Sequence, residues 1–254
     1  MKQVVTVLLF LISTLIQAQN FENLWTGYFS FVSVKSISQG NDKIYAASEN
    51  AIFTYDLSTQ EIGTISTVNG LSGEYITTIY YSEDHNLLVI GYENGLIEIV
   101  IDDEENVLSV VDILDKATIP PDRKGINHFN EYNGNLYIST QYGISVYDLE
   151  ALEFGDTYFI GDLGTQIEVT QTTVQEPYIF AAGYSNGMRR ANVNDDDLID
   201  YQNWTTILGG EFRGVQSLND ELYTFNGNNM VLQFTPEGTS TVVDNFASTI
   251  IDFG

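Results

Sequence analysis

The sequence predicts an all-β protein, a β-propeller of four-stranded antiparallel blades with five blades and the start of a sixth. Three observations predict it. A hairpin phrase recurs: IYAASENAIFTYD at Ile44–Asp56, LLVIGYENGLIEIV at Leu87–Val100, LYISTQYGISVYD at Leu136–Asp148 and IFAAGYSNGMRRAN at Ile179–Asn192, with a weaker copy, LYTFNGNNMVLQF, at Leu222–Phe234. The copies are evenly spaced, with steps of 44, 48, 43 and 43 residues between Ile44, Leu88, Leu136, Ile179 and Leu222. Within each copy the apolar residues alternate at period two, whereas a helical repeat of the same length would space them three and four apart. Parallel β-helices repeat at shorter periods.

The elements follow in order. Leu24–Val32 (LWTGYFSFV), dense in aromatics, reads as a strand ahead of the repeats. The first blade is predicted at Val34–Ser38, Ile44–Ser48, Ile52–Tyr55 and Ile62–Val68, and the second at Ile76–Ser82, Leu87–Tyr92, Leu96–Ile101 and Val107–Ile113. The third uses Gly125–Glu131, Leu136–Thr140, Ile144–Tyr147 and Thr157–Ile160. The fourth uses Ile167–Thr173, Tyr178–Ala182, Gly187–Ala191 and Trp204–Leu208, and the fifth Gly214–Leu218, Glu221–Phe225, Val231–Phe234 and Ser240–Asp244. Asn94-Gly95 predicts a tight turn with both residues at positive φ. Ala46-Ala47 and Ala181-Ala182 predict close approach of neighbouring sheets near the axis.

Strand order predicts an incomplete ring. Ser248–Asp252 (STIID) matches the first strands at Ile76 and Ile126 and reads as the innermost strand of a sixth blade. Leu24–Val32 is placed to supply an outermost strand, so the second and third strands between them are missing and the propeller is read as truncated at its C-terminus. The rival reading is a five-bladed ring with the last strand packed over the axis.

Lys2, the apolar run Val4–Ile16 and the small-residue site at Ile16-Gln17-Ala18 read as a signal peptide, so residues 1–18 are the leader and 19–254 the propeller. The apolar run is too short to span a membrane comfortably, and no second span follows. The chain has no cysteine, which excludes disulfides, thiolate metal sites and a lipoprotein anchor. Its 35 acidic and 9 basic residues give a formal charge of −26, which argues against nucleic acid because no basic stripe can displace counterions from phosphates. The acidity suits a solvated surface or divalent-cation bridging to another anionic surface.

Candidate chemistry is sparse. His85 and His128 are the only histidines, and neither has a second histidine at ligand spacing. Asn192–Asp200 (NVNDDDLID) carries oxygen ligands at alternate positions like the start of a calcium loop. The sixth position is Asp197 rather than glycine and the twelfth Asn203 rather than glutamate, so calcium loop and acidic blade loop both stand. Lys35, Lys43, Arg123-Lys124 and Arg189-Arg190 are the notable basic spots and suit either an anionic ligand or pairing with acidic loops. No nucleophile–base–orienter set can be assembled, so no catalytic, cofactor or metal residue is assigned, no cofactor is expected and ligand-binding residues stay unassigned. Glycosidase carboxylates remain open among the 35 acids.

The run from Trp25 through Trp204 resembles the N-terminal propeller of PorZ-type proteins of the Bacteroidetes type IX secretion system. The residues that carry the resemblance are Trp25 with Tyr28-Phe29-Ser30, the phrase from Ile44, Val68-Asn69-Gly70-Leu71-Ser72, LLVIGYENGLIEIV and Lys124-Gly125-Ile126-Asn127-His128. They continue with LYISTQYGISVYDLE, Thr157-Tyr158-Phe159-Ile160-Gly161 and Asn203-Trp204-Thr205. No WD40 or kelch signature is present. The resemblance implies export, residence at the outer-membrane-associated cell surface and membership of a complex that processes secreted cargo. It also implies binding of anionic lipopolysaccharide and its delivery to a sortase. The whole protein it implies has two propellers and a small C-terminal β-domain, of which this chain shows the first propeller. Two other readings are the periplasmic sensor propeller of a two-component regulator and a propeller glycan lyase or hydrolase.

Overall fold

The computed structural model describes residues 33–102 and 106–250. Among the described residues twenty strands form five four-stranded antiparallel sheets, each in sequential order, with a 3₁₀ turn in each of the first three connections between sheets, another before the last strand of the fourth sheet, and no α-helix. Blade 1 is β1 (Ser36–Gly40), β2 (Lys43–Ala47), β3 (Ile52–Asp56) and β4 (Ile62–Ile65). Blade 2 is β5 (Ile76–Ser82), β6 (Leu87–Tyr92), β7 (Ile97–Ile101) and β8 (Val107–Val110). Blade 3 is β9 (Ile126–Tyr132), β10 (Asn135–Thr140), β11 (Gly143–Asp148) and β12 (Glu153–Tyr158). Blade 4 is β13 (Val169–Gln175), β14 (Tyr178–Gly183), β15 (Gly187–Asn192) and β16 (Thr205–Leu208). Blade 5 is β17 (Phe212–Leu218), β18 (Glu221–Asn226), β19 (Met230–Phe234) and β20 (Ser240–Asn245).

The core is not one mass but four sheet-to-sheet interfaces. Tyr45, Ala47 and Ile52 of blade 1 meet Ile79, Leu88 and Ile90 of blade 2. Val89, Ile97 and Ile99 meet Phe129, Leu136 and Ile138 of blade 3. Tyr137, Ile144 and Val146 meet Ile179 and Ala181 of blade 4, and Phe180, Ala182 and Met188 meet Val215, Leu222 and Phe234 of blade 5. A strand with a sheet on each side must be apolar on both faces, which is why β6 is buried at every residue. Ala47, Ala181 and Ala182 are buried as expected, while Ala46 is only half-buried because it lies on the blade 1 face that no other blade covers.

The innermost strands pack in succession, β1 on β5, β5 on β9, β9 on β13 and β13 on β17; no comparable packing joins β17 to β1 among the described residues, so the ring is open. Beyond β20 the chain crosses the rim, with Phe246 N donating to Asn229 O (3.0 Å) and Ile250 N to Asn229 Oδ1 (3.3 Å), and enters the start of a sixth blade. Residues 251–254, the leader 1–18 and the strand expected at Leu24–Val32 lie outside the described residues.

Several boundaries differ from the sequence reading for local reasons. The fourth strand of blade 3 is Glu153–Tyr158 rather than Thr157–Ile160: Asp148 Oδ1 accepts from Glu150 N (2.9 Å) and Ala151 N (2.7 Å), Leu152 takes φ 54°, and the return strand starts at once. The fourth strand of blade 1 stops at Ile65, because Ser66 caps a 3₁₀ turn at Thr67–Asn69 whose Asn69 side chain accepts from Ser66 N at 3.1 Å. The turn at Asn94-Gly95 also differs. Only Gly95 has positive φ (90°), with Gly95 N on Tyr92 O and Tyr92 N on Leu96 O, both at 3.1 Å. This is a type I turn closed by a left-handed glycine. The hairpin turns with two positive φ values join first to second strands instead, at Asn41-Asp42, Asn133-Gly134 and Asn219-Asp220.

Stability should track these interfaces. Ile90→Ala, at a fully buried position between blades 1 and 2, should lower the unfolding free energy by about 2–5 kcal/mol. Ile199→Ala, at a residue 54% exposed in a blade 4 loop, should change it by less than about 0.5 kcal/mol. Urea denaturation of both variants checks this.

Candidate functional site: the axial channel and its two rims

The innermost strand of each blade pairs on one side only, so its other edge presents backbone N–H groups to the axis. The sequence supplies short polar side chains one repeat earlier to meet them. Ser36 Oγ accepts from Ile79 N (3.2 Å) and Ser38 Oγ from Tyr81 N (2.9 Å). Gln171 Oε1 accepts from Val215 N and Thr173 Oγ1 from Ser217 N, each at 3.2 Å. Between blades 3 and 4, Asn127 Nδ2 donates to Val169 O (2.7 Å), and His128 Nε2 lies 3.3 Å from Gln171 Nε2. Of these residues Ser36, Ser38, Ile79, Asn127 and His128 line an axial cavity of about 340 Å³, with Lys35, Thr78 and Tyr80.

One mouth carries the turns between first and second strands. It is a cavity of about 470 Å³ lined by Tyr80, Tyr81, Glu83, Asp84, Glu131 and Tyr132. Tyr81 OH donates to Asp102 Oδ2 (2.7 Å), which also accepts from Asn41 Nδ2 (2.5 Å), and Tyr132 OH donates to Glu176. Burial first, then the neighbouring Glu131 and Asp102 carboxylates, hold the Tyr80 and Tyr81 hydroxyls well above the ordinary phenol range. His85 lies in the hairpin loop here, with Nδ1 3.2 Å from Glu131 Oε1 and 3.0 Å from Ser82 Oγ. A Ser–His–acid relay needs serine and acid on opposite ring nitrogens. Here both address Nδ1, so the three groups form a structural knot.

The opposite mouth carries the half-buried cations Lys35, Arg123 and Arg213. Lys35 Nζ sits 5.2 Å over the Tyr75 ring, and its pKa is raised by its interaction with Tyr75. Arg123 Nη2 donates to Gln141 O (2.8 Å). Arg213 lies 5.5 Å over Tyr184 and 3.1 Å from Glu211. Burial raises the Glu168 pKa while Arg123 opposes the rise. Between blades 2 and 3 a cavity of about 320 Å³ is lined by Glu74, Tyr75, Glu93, Asn94, Asp122 and Gln141.

The other sequence candidates are absorbed by the fold. Lys124 is buried and donates to Leu114 O (2.5 Å). Arg189 is buried against Asp162 (2.7 Å), and Arg190 donates to Pro236 O (2.5 Å) while lying 4.3 Å over the Tyr178 ring. Lys43 opens β2 at the Glu83–Asp84 end. In the Asn192–Asp200 loop, Asn192 Oδ1 accepts from Asn194 N, Asp195 Oδ1 from Asp197 N and Asp200 Oδ1 from Gln202 N. Leu198 and Trp204 anchor it, with Trp204 Nε1 on Leu198 O at 3.0 Å. No group of three or more His, Asp or Glu side chains is placed to hold a metal ion among the described residues. Glu98 went unnoticed in the sequence. It is buried on β7, takes the Tyr92 hydroxyl and accepts from Ser72 N at 3.0 and 3.2 Å, pinning the Val68–Ser72 loop. Its signal was a lone charge inside the apolar run IEIVI.

Residues 44–205 match the family described as TSS9, PorZ, N-terminal beta-propeller domain. The chain belongs to this family. It is a PorZ-type β-propeller of type IX secretion, and the match runs from β2 to the start of β16, leaving Trp25 and Tyr28-Phe29-Ser30 ahead of it. Among solved structures, Porphyromonas gingivalis PorZ, described as an essential bacterial surface component of the type-IX secretion system, is similar with TM-score 0.73 and 17% identity over 87% of this chain. This chain spans 29% of that PorZ chain. The computationally designed Ika8 protein is similar at TM-score 0.60 and 10% identity, over 84% of this chain and 61% of that one. An extracellular domain described as part of a hybrid two component system from B. thetaiotaomicron gives 0.59 and 12%, over 83% and 33%. At such identities the structural likeness shows the fold alone. No curated protein matches the chain. No helix among the described residues is long and apolar enough to cross a membrane.

Two titrations follow. Burial pushes the His128 pKa down to about 4 from 6.5, and its Nδ1 is buried without a partner. The unfolded chain therefore takes up that proton first, and stabilisation present above pH 6.5 is lost as pH falls toward 4. The urea midpoint should drop across that window, and His128→Gln should flatten the drop. At the other extreme, burial first and nearby carboxylates second push Tyr45 and Tyr147 up to about 12 from 10. Stability present below pH 10 should fall as pH rises through 12, with phenolate absorbance and loss of β circular dichroism appearing together.

Proposed function

We propose that this chain is the propeller portion of an exported, non-enzymatic component of the type IX secretion apparatus, working at the outer-membrane-associated cell surface. The observation that carries the reading is the family match through residues 44–205, which takes in most of blades 1 to 4. Residues 1–18 act as the signal peptide and 19–254 as the propeller. Its partners are secretion-system proteins, including a sortase, to which it delivers anionic lipopolysaccharide. A non-enzymatic role is supported by the shared nitrogen of the Ser82–His85–Glu131 group and by the structural use of Lys124, Arg189 and Arg190. An anionic glycolipid is favoured at the rim where the three cations Lys35, Arg123 and Arg213 stand among Glu74, Glu93, Asp122 and Glu211, over the rim of Glu83, Asp84 and Glu131, to which Lys43 alone is assigned.

Disrupting the gene in a host that carries the system should block surface attachment of secreted cargo, and protease shaving of intact cells should release the protein. Recovery of the native protein in the cytoplasm refutes the reading. For the ligand, the triple variant Lys35→Ala, Arg123→Ala, Arg213→Ala should bind purified lipopolysaccharide at least several-fold more weakly in calorimetry. Glu83→Gln with Asp84→Asn should bind it at least as well as the parent. Equal binding by all three proteins removes the rim from the proposal.

A further inference from the structure

One hydrogen-bonded chain crosses the axis from blade 3 through blade 4 to blade 5, and its ends fix its direction. Gln171 Oε1 accepts from Val215 N at 3.2 Å, so the carboxamide turns its oxygen to blade 5 and its nitrogen to blade 3. Gly214 leaves room for that oxygen, since a Cβ there would lie 2.7 Å from it. On the other side Gln171 Nε2 lies 3.3 Å from His128 Nε2. A carboxamide nitrogen only donates, so His128 Nε2 is the accepting nitrogen and the neutral ring carries its proton on Nδ1. Turning the carboxamide over would set Gln171 Nε2 against Val215 N, donor against donor.

His128 stands in a slot of the repeat that holds no other titratable residue. Pairing with the second strands puts Ser36, Thr78, His128, Gln171 and Gly214 at equivalent positions, opposite Ala47, Gly91, Ser139, Ala182 and Phe225. In blades 1 and 4 the slot accepts from the next blade, Ser36 from Ile79 N and Gln171 from Val215 N. In blade 3 its acceptor is an imidazole lone pair, which a proton removes. The titratable groups on the same side are Tyr137 of β10, opposite Asn130, and Tyr80 and Lys35 across the axial cavity. All three keep their protons in acid. Glu131 alternates to the other face of β9 and pairs with His85, and β13 has no titratable residue.

We propose that His128 is an acid switch for the axis: protonation at Nε2 makes that nitrogen a donor, the Gln171 carboxamide rotates to offer it Oε1, and Val215 N loses its acceptor. The proton on blade 3 thus opens a bond of blade 5, two blades away. Thr173 Oγ1 on Ser217 N and Thr170 Oγ1 on Phe212 O do not take part, so blade 5 stays docked and its inner strand loosens near Val215 alone. Burial of His128 opposes the charged ring and sets the change below pH 6.5, toward about 4.

Amide exchange by NMR on the purified chain, each rate divided by its intrinsic rate at that pH, tests the switch. Protection of Val215 N should fall several-fold as pH drops from 6.5 to 4, in step with the His128 ring resonances, while Ser217 N and Ile79 N keep theirs. His128→Thr, which places the blade 2 residue of the same slot in blade 3, should hold Val215 protection flat. Gln171→Glu should also hold it, because a carboxylate offers one oxygen to each neighbour, and should move the His128 titration to higher pH. Circular dichroism checks that each chain stays folded across the window. Val215 protection that stays flat in the parent while His128 titrates overturns the proposal. So does a fall that Ile79 N shares or that persists in His128→Thr, and so does a His128 ring that stays neutral until the chain unfolds.

Discussion

The unpaired inner edge of each blade is the constraint on which the rest of the structure depends. A sheet of four strands in sequential order leaves the first strand with a row of N–H and C=O groups facing the axis, and each such group left dry and unmet would cost about 1–3 kcal/mol. The chain meets them with side chains placed one repeat earlier: Ser36 for Ile79, Ser38 for Tyr81, Gln171 for Val215, Thr173 for Ser217. Each bond ties two blades together at the axis while the apolar interfaces tie them further out. The steady repeat length is thus a bonding requirement as much as a packing one.

Charge is managed in an unusual way for the same reason of supply. With 9 basic residues for 35 acids, most carboxylates cannot find a cation. Tyrosine hydroxyls and backbone amides serve instead: Tyr81 for Asp102, Tyr92 for Glu98, Tyr132 for Glu176, Tyr223 for Glu221, and the Ser58 and Thr59 amides for Asp56. The hydrogen bonds from Ser58 and Thr59 hold the Asp56 carboxyl down at about 2. The cations that do exist are mostly spent on geometry, in carbonyl bonds, tyrosine faces and the Arg189–Asp162 pair. The surface is therefore one of largely uncompensated acid, and every described cation is at least half-buried.

One slot of the repeat shows how the fold admits chemistry without breaking. The second-to-third-strand pairs put Phe53, Glu98, Ser145, Arg189 and Leu232 at equivalent positions. Where the slot is charged, it reaches the connection entering that blade: Glu98 takes Ser72 N, and Arg189 takes Asp162. Buried charges of this kind stabilise only when fully engaged. Glu98 is so engaged, while Arg189 keeps a buried Nε without a partner; both tie the loop above their blade to its sheet.

The sequence by itself determined the repeat, the strand type and the blade count, because each rests on local periodicity: alternation at two residues, turn signals, and a step of 43 to 48 residues. It located the second strands best, since a strand buried on both faces is a continuous apolar run, as in LLVIGY. It located the outer strands worst. EFGDTY is half exposed, with Gly155-Asp156 at its centre breaking the apolar pattern, and its pairing with β11 makes it a strand. What only the tertiary structure decided was the use of the polar residues. Whether Arg189 is a ligand site or a loop clasp, whether His85 is a base or a knot, and whether Glu98 is solvated or buried depend on groups some 26 to 46 residues away in the chain. Hydrogen bonds and ion pairs act over a few ångströms in space, and sequence periodicity holds no record of which polar groups the stacking of blades will bring that close.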